Sequence, residues 1–221
     1  MHKISTVFFD LDDTLYDKEN GLWEAIRERM GIYMENLLGL PADEVASMRR
    51  HYYETYGTTL RGLQIHHTVD NDAYLAYVHD LPLDDFLQPD HLLREMLDSL
   101  PLRKFVFTNA DLPHANRVLN MLGVSRCFDG ILDVLALEFS CKPQPEAYLK
   151  ALKLAGIDNP EECLYLDDST RNLSTARRMG FTTILVGDGE DDPSAHYSIT
   201  NVKDLAYILP ELWGKHGEKS R

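Results

Sequence analysis

Four short stretches carry residues whose types and spacing suit chemistry at a phosphorus atom. Asp10 and Asp12 stand two apart near the start, Thr108-Asn109 lies near the middle, and Lys142-Pro143 and Asp167-Asp168 follow. A carboxylate is a poor nucleophile, yet it can attack phosphorus once a divalent cation and a nearby amine neutralise the charge. On extended chain, residues two apart point to the same side. One of Asp10 and Asp12 could therefore attack while the other gives a proton to the leaving oxygen. Magnesium takes oxygen ligands and keeps several waters. Asp10, a backbone carbonyl near Asp12, and the Asp167-Asp168 pair could supply its protein ligands. Thr108 and neighbouring backbone N–H groups could hold phosphoryl oxygens, and Lys142 could offset the excess negative charge. Each piece alone is commonplace, since an Asp pair after a strand often caps a helix and Thr-Asn often makes a turn. The signal lies in their order, each at a strand end or in a loop.

The elements that must position these residues can be read from the pattern. Ser5 to Asp10 is short, β-branched and aromatic, and predicts a buried strand ending in acids. Beyond it, Leu22, Ile26, Met30, Tyr33, Met34 and Leu37 recur at helical spacing, and Gly39, Leu40 and Pro41 break that helix. Pro41 suits the first turn of the next one. Further helices are predicted near Glu44 to Tyr56, Thr58 to His66 and Asn71 to His79, with no convincing strand among them. After Pro89 the pattern alternates. Strands are predicted at Lys104 to Thr108, Ile131 to Val134, Cys163 to Leu166 and Thr183 to Val186. Helices fall between them, one around Leu92 to Leu100, and others closed by Gly123, Gly156 and Gly180. A last helix, capped by Thr200 or Asn201, ends before Pro210. Such alternation predicts an α/β fold, a doubly wound parallel sheet covered on both faces, with an inserted all-helical cap. The expected division is a catalytic core over 1–16 and 89–221 and a cap over 17–88. Ligands of such sheets bind beyond the carboxyl ends of the strands, where the four stretches fall.

Composition narrows the partners. The chain has 221 residues, 44% hydrophobic and 26% charged, which is ordinary globular usage. Acidic residues number 36 against 22 basic, a net charge of −14. That charge disfavours nucleic acid and anionic membranes as partners. It would also repel a phosphorylated substrate unless a metal and a local lysine reverse the field. Three cysteines without short spacing read as reduced thiols, not as a disulfide framework or zinc site. The apolar run at the N-terminus is too short for a signal peptide, and nowhere do 18 apolar residues run together. The expected compartment is the cytoplasm.

The stretches FFDLDDTLYD, FTNAD, CKPQPEAY and LYLDDSTRN resemble, in that order, the four motifs of the haloacid dehalogenase superfamily. The resemblance implies aspartyl-phosphate chemistry with Mg²⁺. It implies Asp10 as nucleophile, Asp12 as general acid and base, Thr108 with Asn109 at the phosphate, and Lys142 as its stabiliser. Asp168 is implied as direct metal ligand with Asp167 helping, while Asn172 stands where many members carry another acid. Dehalogenases lack an acid at the place of Asp12, because a halide needs no proton, so its presence points to phosphoryl transfer. YETYGTTLRGL, YVHDLP and FTNADLPHANRVLNMLG further resemble the pyrimidine 5′-nucleotidase branch, which implies hydrolysis of UMP or CMP. Thr58 and Arg61 are then the candidates for contacting the nucleotide.

Other readings stand beside this one. The same chemistry could serve another small phosphate, such as a sugar phosphate or phosphoglycolate, because fold does not set substrate. A phospho-accepting signalling module also combines acids, Thr and Lys-Pro on a parallel sheet, but with its acid pair first and no large cap. Tyr52, Tyr53, Tyr56, Tyr74 and Tyr77 could stack on a base; at helical spacing most read as packing residues. His66-His67 reads as packing or solvent-facing, since helix neighbours diverge by about 100°. Gly187-Asp188-Gly189 reads as a turn, Glu190-Asp191-Asp192 as an acidic loop, and Gly214 to Arg221 as a frayed tail.

Overall fold

The computed structural model describes residues 3–187 and 192–214. Six strands make one sheet: β1 (Thr6–Phe9), β2 (Arg103–Phe107), β3 (Gly130–Leu132), β4 (Cys163–Asp167), β5 (Thr182–Val186) and β6 (Tyr197–Ile199). Their order is β3-β2-β1-β4-β5-β6, and every neighbouring pair is parallel. The central strand reads TVFF and is buried throughout, as a strand covered on both faces must be. Alternation divides it. Val7 and Phe9 join Val106, Leu164 and Ile184 in one apolar cluster, whereas Phe8 joins Phe105, Phe107, Tyr165 and Leu185 in the other.

Helices cover both faces. On the first lie α5 (His91–Ser99), α6 (Leu112–Leu122) and the short α9 (Leu205–Ile208); on the second lie α7 (Pro145–Ala155) and α8 (Thr170–Arg178). Gly123 and Gly156 close α6 and α7 in left-handed conformation, φ 76° and 68°, as the sequence predicts. Between β1 and β2 come α1 (Leu22–Leu38), α2 (Ala42–Tyr56), α3 (Thr59–His66) and α4 (Asn71–His79). This helical insertion has its own apolar cluster, with Met34, Val45, Tyr52, Leu63, Tyr74 and Val78 at its centre. α1 spans the two regions: Leu22 and Ile26 pack with the sheet, and Met34 with the insertion.

Several expectations change. β6 is a sixth strand that the sequence pattern does not predict, because its three residues are too few to show alternation. The single last helix divides into a 3₁₀ turn, Val202–Asp204, and the four-residue α9; the expected cap Asn201 accepts from Lys203 N–H at 3.0 Å, and its own N–H donates to Asp204 Oδ2 at 3.2 Å. Pro41 stands just outside α2, at its N-cap. β1 stops at Phe9, so the extended chain that was to align Asp10 with Asp12 ends before them. The predicted turn at Gly187-Asp188-Gly189, the acidic loop and the tail fall largely on 188–191 and 215–221, outside the described residues. Among the described residues, no helix is long and apolar enough to cross a membrane.

Candidate active site

The strand order reverses between β1 and β4, and that crevice is where doubly wound sheets take their ligands. Asp10 follows β1 and Asp167 ends β4, with Asp10 N–H donating to Leu166 O at 2.9 Å. Between them comes the ammonium of Lys142, a side chain 1% exposed. It donates to Asp10 Oδ1 at 2.6 Å, Asp167 Oδ2 at 3.0 Å and Phe107 O at 2.8 Å. Asn109 grips the lysine's own peptide units, accepting from Lys142 N–H at 2.8 Å and donating to Lys142 O at 3.1 Å. Asp167 is fully buried and also accepts from the Tyr165 hydroxyl, from Ser169 N–H at 2.8 Å, and from Asn172 Nδ2, 3.0 Å from each oxygen. Thr108 is buried, its hydroxyl oxygen accepting from Ala110 N–H at 3.0 Å.

Asp10, Asp167 and Asp168 each offer an oxygen, all within 4.8 Å of one another. Burial raises the Asp10 carboxyl; Lys142 opposes this, Asp167 and Asp168 reinforce it, and the outcome lies well above the usual carboxylate range. Asp168 is the exposed member. Desolvation of its carboxyl, with Asp167 and Asp13 nearby, pushes it up to about 7. Burial alone would lower Lys142, but Asp10 and Asp167 outweigh this and raise it. One ammonium therefore stands against three close carboxylates. That surplus of hard oxygen ligands, open to water at Asp168, fits a hydrated divalent cation.

The Asp12 carboxylate is not in this cluster. Its Oδ1 accepts from Tyr16 Oη at 2.7 Å and lies 2.9 Å from Nε2 of His114. Burial would raise it, but the His114 imidazole and the Tyr16 hydroxyl prevail and hold it below the usual range. Tyr16 and His114 were not singled out from the sequence. His114 does lie in the FTNADLPHANRVLNMLG stretch and Tyr16 one helical turn beyond Asp12, which are the only signals that could have marked them.

Thr58 caps α3, accepting from Arg61 N–H at 3.1 Å, and its hydroxyl lies 3.9 Å from Cys141 Sγ, beside Lys142. The Arg61 guanidinium donates to Gln64 Oε1 at 3.1 Å. The approach is close here: at Gly57, φ 95°, a Cβ would lie 2.7 Å from Lys142 O. Tyr52 and Tyr74 are buried in the insertion's cluster with Tyr56 and Tyr77 packed against it, while Tyr53 lies exposed under Arg171. His66 and His67 pair with separate tyrosines, Tyr56 and Tyr52, at 2.6 and 2.7 Å.

Residues 4–180 match the family model of haloacid dehalogenase-like hydrolases. The chain belongs to that family. Among its relatives is Phosphate metabolism protein 8 of Saccharomyces cerevisiae, 31% identical over 80% of this chain and 60% of that protein. The chain thus spans less than two thirds of that relative's length. The 6-phosphogluconate phosphatase of Escherichia coli is 27% identical over 98% of each chain. Among solved structures, a HAD phosphatase from Thermococcus onnurineus shares the fold, with a TM-score of 0.62 at 19% identity over 93% of this chain and 98% of that one. In this haloacid dehalogenase-like hydrolase, the reversal of strand order brings Asp10, Lys142 and Asp167 to one point.

Proposed function

We propose that this hydrolase is a Mg²⁺-dependent phosphomonoesterase acting through an aspartyl-phosphate on Asp10. The observation that carries the reading is the buried ammonium of Lys142 bridging Asp10 and Asp167 beside Asp168. Asp10 attacks phosphorus and the bond to the alcohol oxygen breaks; Asp12, a carboxylate in the free protein, takes up a proton when the anionic phosphoryl group binds beside it and gives that proton to the alcohol oxygen. Asp12, now a carboxylate, takes a proton from water, which attacks the acyl phosphate and releases phosphate and Asp10. Lys142 offsets charge on the phosphoryl oxygens, Thr108 lines their site, and Asn109 holds Lys142 in place. Asp10, Asp168, Asp167 and a backbone carbonyl near Asp12 would hold magnesium, which would supply the positive charge that keeps Asp10 ionised.

The substrate we infer is a pyrimidine nucleoside 5′-monophosphate, UMP or CMP, bound under a cap comprising 17–88 in a cytoplasmic enzyme. Support comes from the resemblance of YETYGTTLRGL and YVHDLP to the nucleotidase branch, and from the approach of Thr58 to the Lys142 loop. A hydrogen-bonding cap can favour a pyrimidine edge when a mismatch leaves buried polar groups unpaired. A second reading, a sugar phosphate, draws on the likeness to 6-phosphogluconate phosphatase along 98% of the chain. Specificity constants for UMP, CMP, AMP, GMP and 6-phosphogluconate, in native protein and Arg61→Ala, separate the two. A preference for UMP and CMP that Arg61→Ala weakens supports the nucleotidase. Equal constants, or a preference for the sugar acid, reject it and leave the phosphatase chemistry standing.

A further inference from the structure

The Asp12 carboxyl is held from outside the catalytic cluster, and its holder is itself wedged against the helical insertion. His114 sits in the first turn of α6 with its side chain wholly buried. Its Nε2 meets Asp12 Oδ1 at 2.9 Å, while its Nδ1 is buried with no hydrogen-bond partner among the described residues. The ring of His79, the last residue of α4, stacks on it at 4.1 Å between centroids and 19° between planes. His79 Nδ1 lies 2.7 Å from Oδ1 of Asp111, the N-cap of α6. One turn further along α6, Arg117 donates to the carbonyls of His79 and Leu81. The end of the insertion is thus fastened to the stretch of α6 that holds Asp12.

We propose that His114, braced by His79, is a positioning residue that fixes the Asp12 carboxyl for leaving-group protonation and ties it to the seating of the helical insertion. The proposal rests on the reading of Asp12 as general acid. Asp12 lies beyond the end of β1, in the turn that Leu15 N–H closes on Leu11 O at 3.0 Å, and its carboxyl is held there by side chains. A proton donor misplaced by about 1 Å loses much of its effect. The contacts from Tyr16 and His114 both end on Oδ1, which leaves Oδ2 to carry the proton. An imidazole turns easily about its second side-chain torsion. The stacked His79 ring blocks that turn, and His79 belongs to the insertion. An insertion that shifts away from α6 would free the ring and loosen the acid.

The test uses the leaving group. p-Nitrophenyl phosphate releases a phenolate that leaves without a proton, whereas UMP or 6-phosphogluconate, whichever the native protein prefers, must release an alkoxide. kcat/KM covers steps only through departure of that group, so the later attack of water does not enter. His114→Asn is too short to reach Asp12, and His114→Gln can place an amide N–H near the same spot. The expected result is a fall of about tenfold to a hundredfold in kcat/KM on the alkyl ester for His114→Asn. The fall on the aryl ester should be much smaller, and His114→Gln should recover most of the loss. His79→Ala should show the same split at lesser size. Equal falls on both esters, or Asn and Gln variants that behave alike, would overturn the positioning role while leaving the phosphatase intact. A native protein inactive on both esters would overturn the phosphatase reading and this proposal with it.

Discussion

Asp10 and Asp12 differ in everything but residue type. Asp10 shares an ammonium with Asp167, and Asp12 shares a phenol and an imidazole, so one sits in a field of competing charges and the other in a hydrogen-bonded niche. Asp10→Asn should lose all phosphate release, because an amide cannot form the acyl phosphate, and near-normal activity would reject the covalent route. Asp12→Asn should fall by about a hundredfold or more on an alkyl ester. The metal pair separates by burial. Asp167 is fully buried, and Lys142 would keep Asp10 without it, but Asp167→Ala leaves the Tyr165 hydroxyl and the Asn172 amide without their acceptor and should cost about 1–3 kcal/mol in urea unfolding. Asp168 opens to water and its carboxyl, crowded by Asp167 and Asp13, is pushed up to about 7, so Asp168→Ala should leave metal-free stability unchanged or slightly higher and raise the magnesium needed for half-maximal activity. Like effects of both substitutions on stability would contradict this division. The acids and the lysine were legible in the sequence because each closes a recognisable strand or loop. Tyr16 and His114 were not, since a phenol and an imidazole are ordinary packing residues until their neighbours are known.

At the scale of elements, close approach decides which residues are tolerated. α2 and α3 pack so tightly that a Cβ on Gly62 would fall 2.2 Å from Cγ of Tyr52. Gly62→Ala must therefore displace a buried ring, and we expect a loss of about 1–3 kcal/mol by urea unfolding. A neutral result would mean that the insertion repacks freely. The start of α5 depends on charge. Asp90 caps it, accepting from Leu93 N–H at 2.9 Å, and pairs with Lys203 at 2.7 Å. Burial would raise this carboxyl, but the bonds from Lys203 and Leu93 N–H prevail and hold it below its usual range. Its folded value is thus lower than its unfolded one, so its contribution is full above the unfolded value near about 3.9 and is lost as pH falls through the folded one. Native protein should lose more stability between pH 5 and pH 3 than Asp90→Asn, which keeps a capping oxygen without the titration. Parallel pH curves for the two would show that Asp90 contributes nothing by its charge.

At the scale of the whole molecule, side chains of the core reach backbone carbonyls of the insertion. Arg171 donates to the carbonyls of Tyr53 and Glu54, and Gln144 to that of Tyr56, beside the Lys142 loop. Arg117 clasps the far end at His79 and Leu81. The chain carries −14 overall, and part of that charge is concentrated in the carboxylate cluster. A bound divalent cation should stabilise the folded state by mass action. At about a hundred times its dissociation constant, magnesium should add about 2.7 kcal/mol and raise Tm by roughly 5–10 °C. Chelation should reverse the shift and abolish phosphate release, and Asp168→Ala should shrink the shift. A Tm indifferent to magnesium in native protein would remove the cation from this cluster.

The parallel sheet, the helical insertion and the four strand-end stretches follow from the sequence alone, because each rests on local pattern. Apolar β-branched and aromatic runs such as TVFF make strands, helical periodicity makes helices, and glycines after them stop those helices. Once such strands are parallel, the topology rule brings their ends to one rim without any side-chain detail. β6 escaped because three residues hold too little pattern. The surroundings of Asp12 escaped for another reason. His114 is 102 residues away along the chain and His79 belongs to another helix, so their meeting depends on how the insertion seats against α6. Only packing at that junction decides which imidazole reaches the acid.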